Sequence, residues 1–367
     1  MRLLQLINRL HSFSSSCAIV DFPVRGLTCN SKAVRPGAVF VAVKGASVDG
    51  RKFIGEAFAR GAGAVITGPG SGYRVVSEKH SSLIEVPDAR AALSTLAAEY
   101  NGRPAAKMRV IGITGTNGKT TITYLVEEII KGAGKTPAVI GTVNYRYGGK
   151  VFPSKNTTPG PLELHGLLRR MHRAGTSHVV MEVSSHALDQ ARTGAVGFSA
   201  AIFTNLTRDH LDYHHDFKRY FAAKAKLFSG LAASSAAIVN ADDPYGRRLR
   251  SLTRARAITY AVKRPADVRA KKISMGVSGS SFILETAGVS VRMTTPLIGI
   301  HNVYNILAAA AWALSEGISL KVVRDALAGF SRVPGRMEKI EGGAGFSVFV
   351  DYAHTDDALK NVLTAMR

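Results

Sequence analysis

Val110-Ile-Gly-Ile-Thr-Gly-Thr-Asn-Gly-Lys-Thr-Thr121 carries the reading of the whole chain. Met108 to Thr114 is a short, apolar run rich in β-branched residues, the composition of a strand buried inside a parallel sheet. A glycine-rich turn, Gly115-Thr-Asn-Gly118, follows, and Lys119-Thr120 opens a helix. That helix sets Ile122, Leu125, Val126, Ile129 and Ile130 on one face at helical spacing, and Gly132 and Gly134 end it. Strand, glycine turn, Lys-Thr and helix together cradle the phosphates of a nucleotide. The glycines admit backbone N–H groups to the oxygens, the helix N-terminus adds partial positive charge, Lys119 neutralises, and the Thr120 hydroxyl is placed to ligate Mg²⁺. Ile113 stands where the usual phosphate-loop pattern has its first glycine. A bare Gly-Lys-Thr could also be a turn that merely starts a helix; the strand before it and the helix after it favour phosphate binding.

A chain of 367 residues can bury more than one core, so two or three domains are expected. A hydrophobic content of 46% with 20% charged residues describes a folded protein and excludes a disordered one. No run approaches the ~18 apolar residues of a membrane span. Gln5, Asn8 and Arg9 interrupt the N-terminal stretch Met1 to His11, which reads as the start of an amphipathic helix and not as a signal peptide. Cys17 and Cys29 are too few for a disulfide framework and match no metal spacing. A cytoplasmic monomer is expected. The net charge of +22 would suit nucleic acid or a highly anionic small substrate. Its Lys and Arg are scattered, with short clusters such as Arg247-Arg248 and Lys271-Lys272, so a solvated basic surface is preferred, with no nucleic-acid or membrane partner.

Outward from the loop, residues 1–102 read as a first α/β domain. Its strands fall at Ala38–Val43, Ala64–Thr67 and Ser82–Val86, with a helix from about Lys52 to Arg60 and another running from Asp88 to about Tyr100. Residues 103–332 form the central domain, where strand and helix patterns alternate and imply a parallel sheet covered on both faces. Helices are expected over Glu163–Ala174, Phe217–Leu231, Val303–Gly317 and Leu320–Gly329, with Gly299-Ile-His-Asn302 as a cap. Between Ile258 and Ile298 short β-like runs suggest an antiparallel extension. Residues 333–367 open a third α/β domain that stops after one β–α unit, so a truncated domain is expected.

Ligands of parallel sheets sit at the carboxyl ends of strands, which singles out Glu182 at the end of the run His178–Val183 as a Mg²⁺ ligand. The next strand leads into Asn205–His215, with three histidines and two acids in eleven residues but no zinc spacing. From the pattern alone, His210 there is either a ligand or a structural histidine. On the following helix, spacing alone makes Lys224 and Lys226 solvated. Lys155-Asn-Thr-Thr-Pro-Gly-Pro161 is a polar loop that could bind a ligand or simply cap the next helix.

Taken together, Thr114–Thr120, Asn156-Thr-Thr-Pro-Gly160, Glu182–His186, Asn205–Asp212, Gly299–Asn302 with Asn305, and Asp351-Tyr-Ala-His-Thr355 resemble the Mur ligase family, in order and along the whole chain. The resemblance implies an α/β three-domain architecture with a central P-loop ATPase domain and an N-terminal domain for a UDP-linked substrate. It implies an ATP- and Mg²⁺-dependent acid–amino-acid ligase of peptidoglycan synthesis. The partners would be UDP-N-acetylmuramoyl-L-alanyl-D-glutamate and a diamino acid, meso-diaminopimelate with L-lysine as the other choice. Gly115, Thr116, Asn117, Gly118, Lys119, Thr120 and Thr121 would hold ATP, aided by Asn302, Asn305, Arg336 and Asp351. Thr120, Glu182, His210 and a carbamylated Lys224 would hold metal, and Lys119, Lys224 and His210 would be catalytic. Leu27, Ser31, Asn156, Thr157, Thr158, Ser184, Gln190 and Arg192 would bind the sugar-peptide, with Gly45-Ala-Ser47 near its diphosphate. Two stretches depart from the family: Asn30-Ser31-Lys32 replaces Asp-Ser-Arg, and Asp356 replaces a proline. A folylpolyglutamate synthetase-like ligase, a nucleic-acid-dependent P-loop ATPase and an inactive nucleotide-binding fragment are the competing readings.

Overall fold

The computed structural model describes residues 1–15, 18–45, 48–72, 82–330, 332–340 and 346–366. Cys17, Ala46 and Ser47 lie outside the described residues. The chain divides into two compact units: residues 1–107 with 159–170 and 189–196, and residues 108–158 with 171–188 and 197–367.

The first unit holds α1 (Leu3–Ile7), β1 (Ser14–Ser15), β2 (Gly26–Thr28), β3 (Ala38–Ala42), α2 (Ile54–Ala59), β4 (Ala62–Thr67), β5 (Ser82–Glu85) and α3 (Ala89–Tyr100). Its sheet runs β1-β5-β4-β3-β2, parallel except for the edge strand β1. Every residue of β3 is buried, as expected of a strand covered on both faces. Asp88 caps α3 by accepting from the Arg90 and Ala91 amides, so the helix begins one residue after the Asp88 start expected from sequence. The helix expected from Lys52 is instead a 3₁₀ turn over Gly50–Phe53, opened by the Asp49 side chain, with α2 after it.

The second unit carries β6 (Arg109–Thr114), α4 (Lys119–Gly132), β7 (Pro137–Ile140), β8 (Asn144–Tyr147), β9 (Lys150–Pro153), α5 (Pro161–Arg173, shared between units), β10 (His178–Glu182), α6 (Ser185–Asp189) and β11 (Ala200–Phe203). It continues with α7 (Leu211–His214), α8 (Phe217–Ser229), β12 (Ala236–Asn240), α9 (Pro244–Arg250), β13 (Arg256–Ala261), β14 (Val268–Gly276), β15 (Gly279–Thr286) and β16 (Val289–Thr295). The last elements are α10 (Ile300–Ser315), α11 (Leu320–Ala328), β17 (Glu338–Ile340), β18 (Val348–Val350) and α12 (Asp356–Met366). Among the described residues the large sheet runs β16-β15-β14-β13-β12-β11-β6-β10-β7-β8-β9, with parallel pairing from β14 through β7. The strands β14–β16 form the antiparallel extension expected from sequence, and β7–β9 form a second one that was not.

Strand β6 lies between β10 and β11, and the chain visits one side before the other. That is a topological switch point, and it opens a crevice at the carboxyl end of β6. Glu182 pairs with Ile113 and Phe203 with Thr114, so the residues that follow these strands converge there. Ile122, Leu125, Val126, Ile129 and Ile130 of α4 are all fully buried against this sheet's core, which fixes the helix directly behind the phosphate loop. Among the described residues no helix is long and apolar enough to cross a membrane.

Two buried histidines make stability depend on pH. Neither ring nitrogen of His165 has a hydrogen-bond partner, and burial brings its pKa down to about 4. His178 is likewise lowered to about 4, first by burial and then by Lys135. Both are neutral when folded, whereas in the unfolded chain they take up protons near pH 6.5. Stability is therefore fully present above pH 6.5 and is lost as pH falls toward 4, at a cost of at most about 3 kcal/mol per histidine. Chemical-denaturation curves between pH 7 and 4 should show this slope. His165→Leu should make it shallower; an unchanged slope would refute the assignment.

Candidate functional site

The phosphate loop takes its shape from two glycines. Gly118 has φ +88 and caps α4, and a Cβ there would stand 2.5 Å from Asn305 Oδ1. At Gly115, φ is +147 and a Cβ would fall 1.8 Å from Thr204 Oγ1. Only glycine meets both the backbone and the space requirement. Gly118→Ala should therefore lose about 1 kcal/mol or more of stability and weaken binding of a fluorescent ATP analogue. Binding at wild-type affinity would show that the loop does not need this shape.

The loop is pinned from several elements. Asn205, just after β11, accepts from the Asn117 amide at 3.0 Å and donates to its carbonyl at 3.3 Å. Asn117 Nδ2 donates to Asp357 of α12 at 3.0 Å. The Thr116 hydroxyl lies 3.2 Å from the Tyr220 hydroxyl. Lys119 Nζ donates to the carbonyls of Gly115 (3.0 Å) and Thr116 (2.8 Å), and burial lowers its pKa against the opposing pull of Glu182 and Asp209.

Lys224 overturns its spacing-based reading as a solvated residue. It is 1% exposed, donates to Gly115 O at 2.8 Å, and lies 4.5 Å from the centre of the Tyr220 ring. Burial first, then the neighbouring Lys119, drive its pKa well below the ordinary lysine value. Lys226, two residues on, is exposed. Helix α8 explains the difference, because Tyr220, Lys224, Leu227 and Phe228 share its buried face.

Glu182 is 1% exposed and ends β10. It accepts from the Thr120 hydroxyl at 3.1 Å, from the Thr142 amide at 2.8 Å and from the Thr142 hydroxyl at 3.0 Å. Arg336 Nη2 donates to Thr120 Oγ1 at 3.2 Å. A buried carboxylate beside a hydroxyl offers the oxygen donors that a hard cation such as Mg²⁺ takes. An ammonium at Lys224 would repel a cation; a carbamate there would attract one. His210 adopts a left-handed conformation (φ +52), with its Nε2 3.3 Å from Asp209. Burial lowers its pKa, with Asp209 opposing. Its ring meets His186 edge-on at 4.8 Å. Among the described residues no group of three His, Cys, Asp or Glu side chains forms a metal cluster, and Mg²⁺ is commonly bound by one or two carboxylates with waters and phosphate oxygens completing its shell.

These residues line one cavity of about 400 Å³, within the range of ligand pockets. The cavity gathers Gly115 to Thr121, Thr157, Glu182, Ser184, His210, Lys224, Asn302, Asn305, Arg336 and Asp351. Asn302 lies in the first turn of α10, which starts at Ile300 and not at Val303 as expected. Its Nδ2 donates to Ile298 O at 2.8 Å, and its Oδ1 accepts from Asn305 Nδ2 at 3.0 Å. Asp351 accepts from the amides of Met337 and Ala353, both at 2.7 Å. Thr158 and Asn156 sit beside the cavity: Thr158 Oγ1 donates to Glu182 O at 2.9 Å, and Asn156 O accepts from Tyr145. Leu27, Ser31, Gln190 and Arg192 belong to the first unit. There Ser31 donates to Glu56 at 2.8 Å, and Arg192 donates twice to Gln190 Oε1.

Sequence reasoning missed Thr142, Asn240 and Asp357, all in the cavity wall, and gave Asn205 no role beyond its motif. The strand-end rule that found Glu182 would have found Thr142 and Asn240, which follow or end β7 and β12. Asp357 carried no such signal. Of the basic residues, Arg247, Arg248, Arg250, Arg254, Arg256, Lys263 and Arg264 are all exposed.

Residues 113–313 match the Mur ligase middle domain, and residues 23–101 match the Mur ligase family catalytic domain. The UDP-N-acetylmuramoyl-L-alanyl-D-glutamate–2,6-diaminopimelate ligase of Geobacter sulfurreducens is 46% identical over 93% of this chain and 67% of its own length. That of Aquifex aeolicus is 44% identical over 94% and 69%. A solved structure of a ligase of the same name superimposes with a TM-score of 0.79 at 30% identity, covering 94% of this chain and 70% of the other. The MurF ligase from Thermotoga maritima, solved in complex with ADP, shares the fold with a TM-score of 0.63 at 22% identity over 93% and 74%.

Proposed function

The chain belongs to the Mur ligase family, and from that premise we propose that it joins 2,6-diaminopimelate to UDP-N-acetylmuramoyl-L-alanyl-D-glutamate at the expense of ATP. The observation that carries this reading is the cavity itself, where the phosphate loop, the Glu182 carboxylate and the polar loop through Thr157 share one wall. In the reaction, an oxygen of the D-Glu carboxylate attacks the γ-phosphorus, the P–O bond to ADP breaks, and an acyl phosphate forms. The amine of the diamino acid then attacks the acyl carbon. Phosphate leaves with the carboxylate's oxygen, and the amine's proton is lost to give the amide.

The protein's part is to position the reactants and to stabilise charge, which dominates catalysis of phosphoryl transfer. The Thr116 and Asn117 amides are spent on Asn205, so the amides of Gly118, Lys119 and Thr120 at the start of α4 would meet the phosphates, and Lys119 has one N–H left beyond its two carbonyl partners to meet a γ-phosphate oxygen. Asn302, Asn305, Arg336 and Asp351 would hold the rest of the nucleotide. Asn156, Thr157, Thr158 and Ser184, with Leu27, Ser31, Gln190 and Arg192 of the first unit, would bind the sugar-peptide. Mg²⁺, when bound, neutralises the charge of the transferring group, and Thr120, Glu182, His210 and a carbamylated Lys224 would hold it.

The test is phosphate release that requires all three of ATP, sugar-dipeptide and diaminopimelate. Release with L-lysine in place of diaminopimelate would reassign the amino acid. Release stimulated by DNA or RNA without the sugar-dipeptide would overturn the reading.

A further inference from the structure

The hydroxyl of Thr142 sits between two groups that the reading above gives to different ligands. Thr142 follows β7, the parallel neighbour of β10, so its backbone runs beside the end of the strand carrying Glu182. A Cβ at Gly141 would stand 2.6 Å from Glu182 Oε1. The glycine therefore lets the chain come close enough for the Thr142 amide to reach that oxygen at 2.8 Å. The Thr142 hydroxyl lies 3.0 Å from Glu182 Oε2 on one side and 3.0 Å from the Thr157 hydroxyl on the other.

The direction of these hydrogen bonds is fixed by counting protons. A carboxylate only accepts, and a hydroxyl has one proton to give. The Thr142 proton goes to Glu182, so Thr142 must accept from Thr157. The Thr157 proton is thereby committed, and Thr157 faces the cavity with lone pairs alone. It can take an N–H or O–H from a ligand but cannot donate to a carboxylate or phosphate oxygen.

We propose that Thr142 is a positioning residue that couples the Asn156–Thr158 loop to the Glu182 carboxylate and makes Thr157 an acceptor for an amide or hydroxyl of the sugar-dipeptide. The inference rests on the functional reading above for the identity of the two ligands. It predicts that the protein's hold on Mg²⁺ and its hold on the sugar-dipeptide are linked through one hydroxyl.

The test compares wild type with Thr142→Val, Thr142→Ser, Thr157→Val and the Val/Val double variant. Thr142→Val should raise the sugar-dipeptide KM about fivefold to tenfold, and Thr142→Ser should restore it to within about twofold. The double variant should be no worse than the poorer single variant, because both remove the same chain of hydrogen bonds. Calorimetry with AMP-PNP adds a readout that needs neither turnover nor sugar-dipeptide. Thr142→Val should need more Mg²⁺ for half-maximal AMP-PNP binding, with Mg²⁺-free binding unchanged, whereas Thr157→Val should match wild type. If valine at 142 prevents folding, Thr142→Ala carries the same expectations. Fold-changes that multiply in the double variant, or wild-type Mg²⁺ dependence in Thr142→Val, would overturn the coupling. A wild type that binds Mg²⁺ and AMP-PNP as expected but never turns over the sugar-dipeptide would sink the assigned substrate and leave the Mg²⁺ result to judge Thr142.

Discussion

Lys119→Ala should lower sugar-dipeptide-dependent phosphate release by about 10²–10³-fold, the loss seen when one preorganised charge-stabilising donor is removed. Two of the ammonium's three donors are spent on Gly115 O and Thr116 O, at 3.0 and 2.8 Å. Those bonds hold the side chain in one place, so the remaining N–H arrives at a phosphate oxygen without further ordering. Burial weakens the proton's hold on this lysine, while Glu182 and Asp209 counter that weakening. The cation is thus kept in a site where its field is little screened by water, and its effect should grow as charge moves onto the transferring group. Turnover should accordingly fall much more than AMP-PNP affinity does. Equal losses in both would mean that Lys119 only binds nucleotide, and wild-type turnover would remove it from the mechanism.

The second large effect belongs to Lys224. Its amine is buried against Gly115 O and the Tyr220 ring, next to a second cation, and both influences favour the neutral form. A neutral amine can attack CO₂: the N–C bond forms, one amine proton leaves, and a carbamate anion results. The change places an anion beside the Lys119 cation, an attraction where an ammonium would have been repelled. Wild-type turnover should then decline in CO₂-free buffer and recover on adding bicarbonate, with a carbamate resonance appearing from ¹³C-labelled bicarbonate. Lys224→Ala should lose about 10²-fold or more in turnover and gain nothing from bicarbonate. An enzyme indifferent to CO₂, with no carbamate signal, would leave Lys224 a buried structural amine.

The centre of the fold was readable because its signals are local. Strand β6, the glycine turn and α4 each obey a short-range rule, and the same period that set Ile122, Leu125, Val126, Ile129 and Ile130 on one face buries all five. Lys224 was misread because its charge outweighed its position. Tyr220, Leu227 and Phe228 stand four before, three after and four after it, so the periodicity of α8 already put Lys224 on the apolar face. The hairpin of β8 and β9 escaped because each strand has four residues, although Gly148-Gly149 between them is a turn signal. Helix α9 escaped for a related reason. Asp243 and Pro244 announce its start, but Leu249 is its one buried large apolar residue, too few to show a period. The bonds that join Thr142 to Glu182 and Asn117 to Asp357 span 40 and 240 residues, and no local pattern predicts contacts of that kind.

The most direct measurement labels both oxygens of the substrate's D-Glu carboxylate with ¹⁸O and follows the label through one turnover with ATP and diaminopimelate. Transfer of the γ-phosphoryl group to that carboxylate predicts one ¹⁸O atom in each phosphate released and one retained in the new amide. Phosphate carrying no label, its new oxygen drawn from water, would contradict the account.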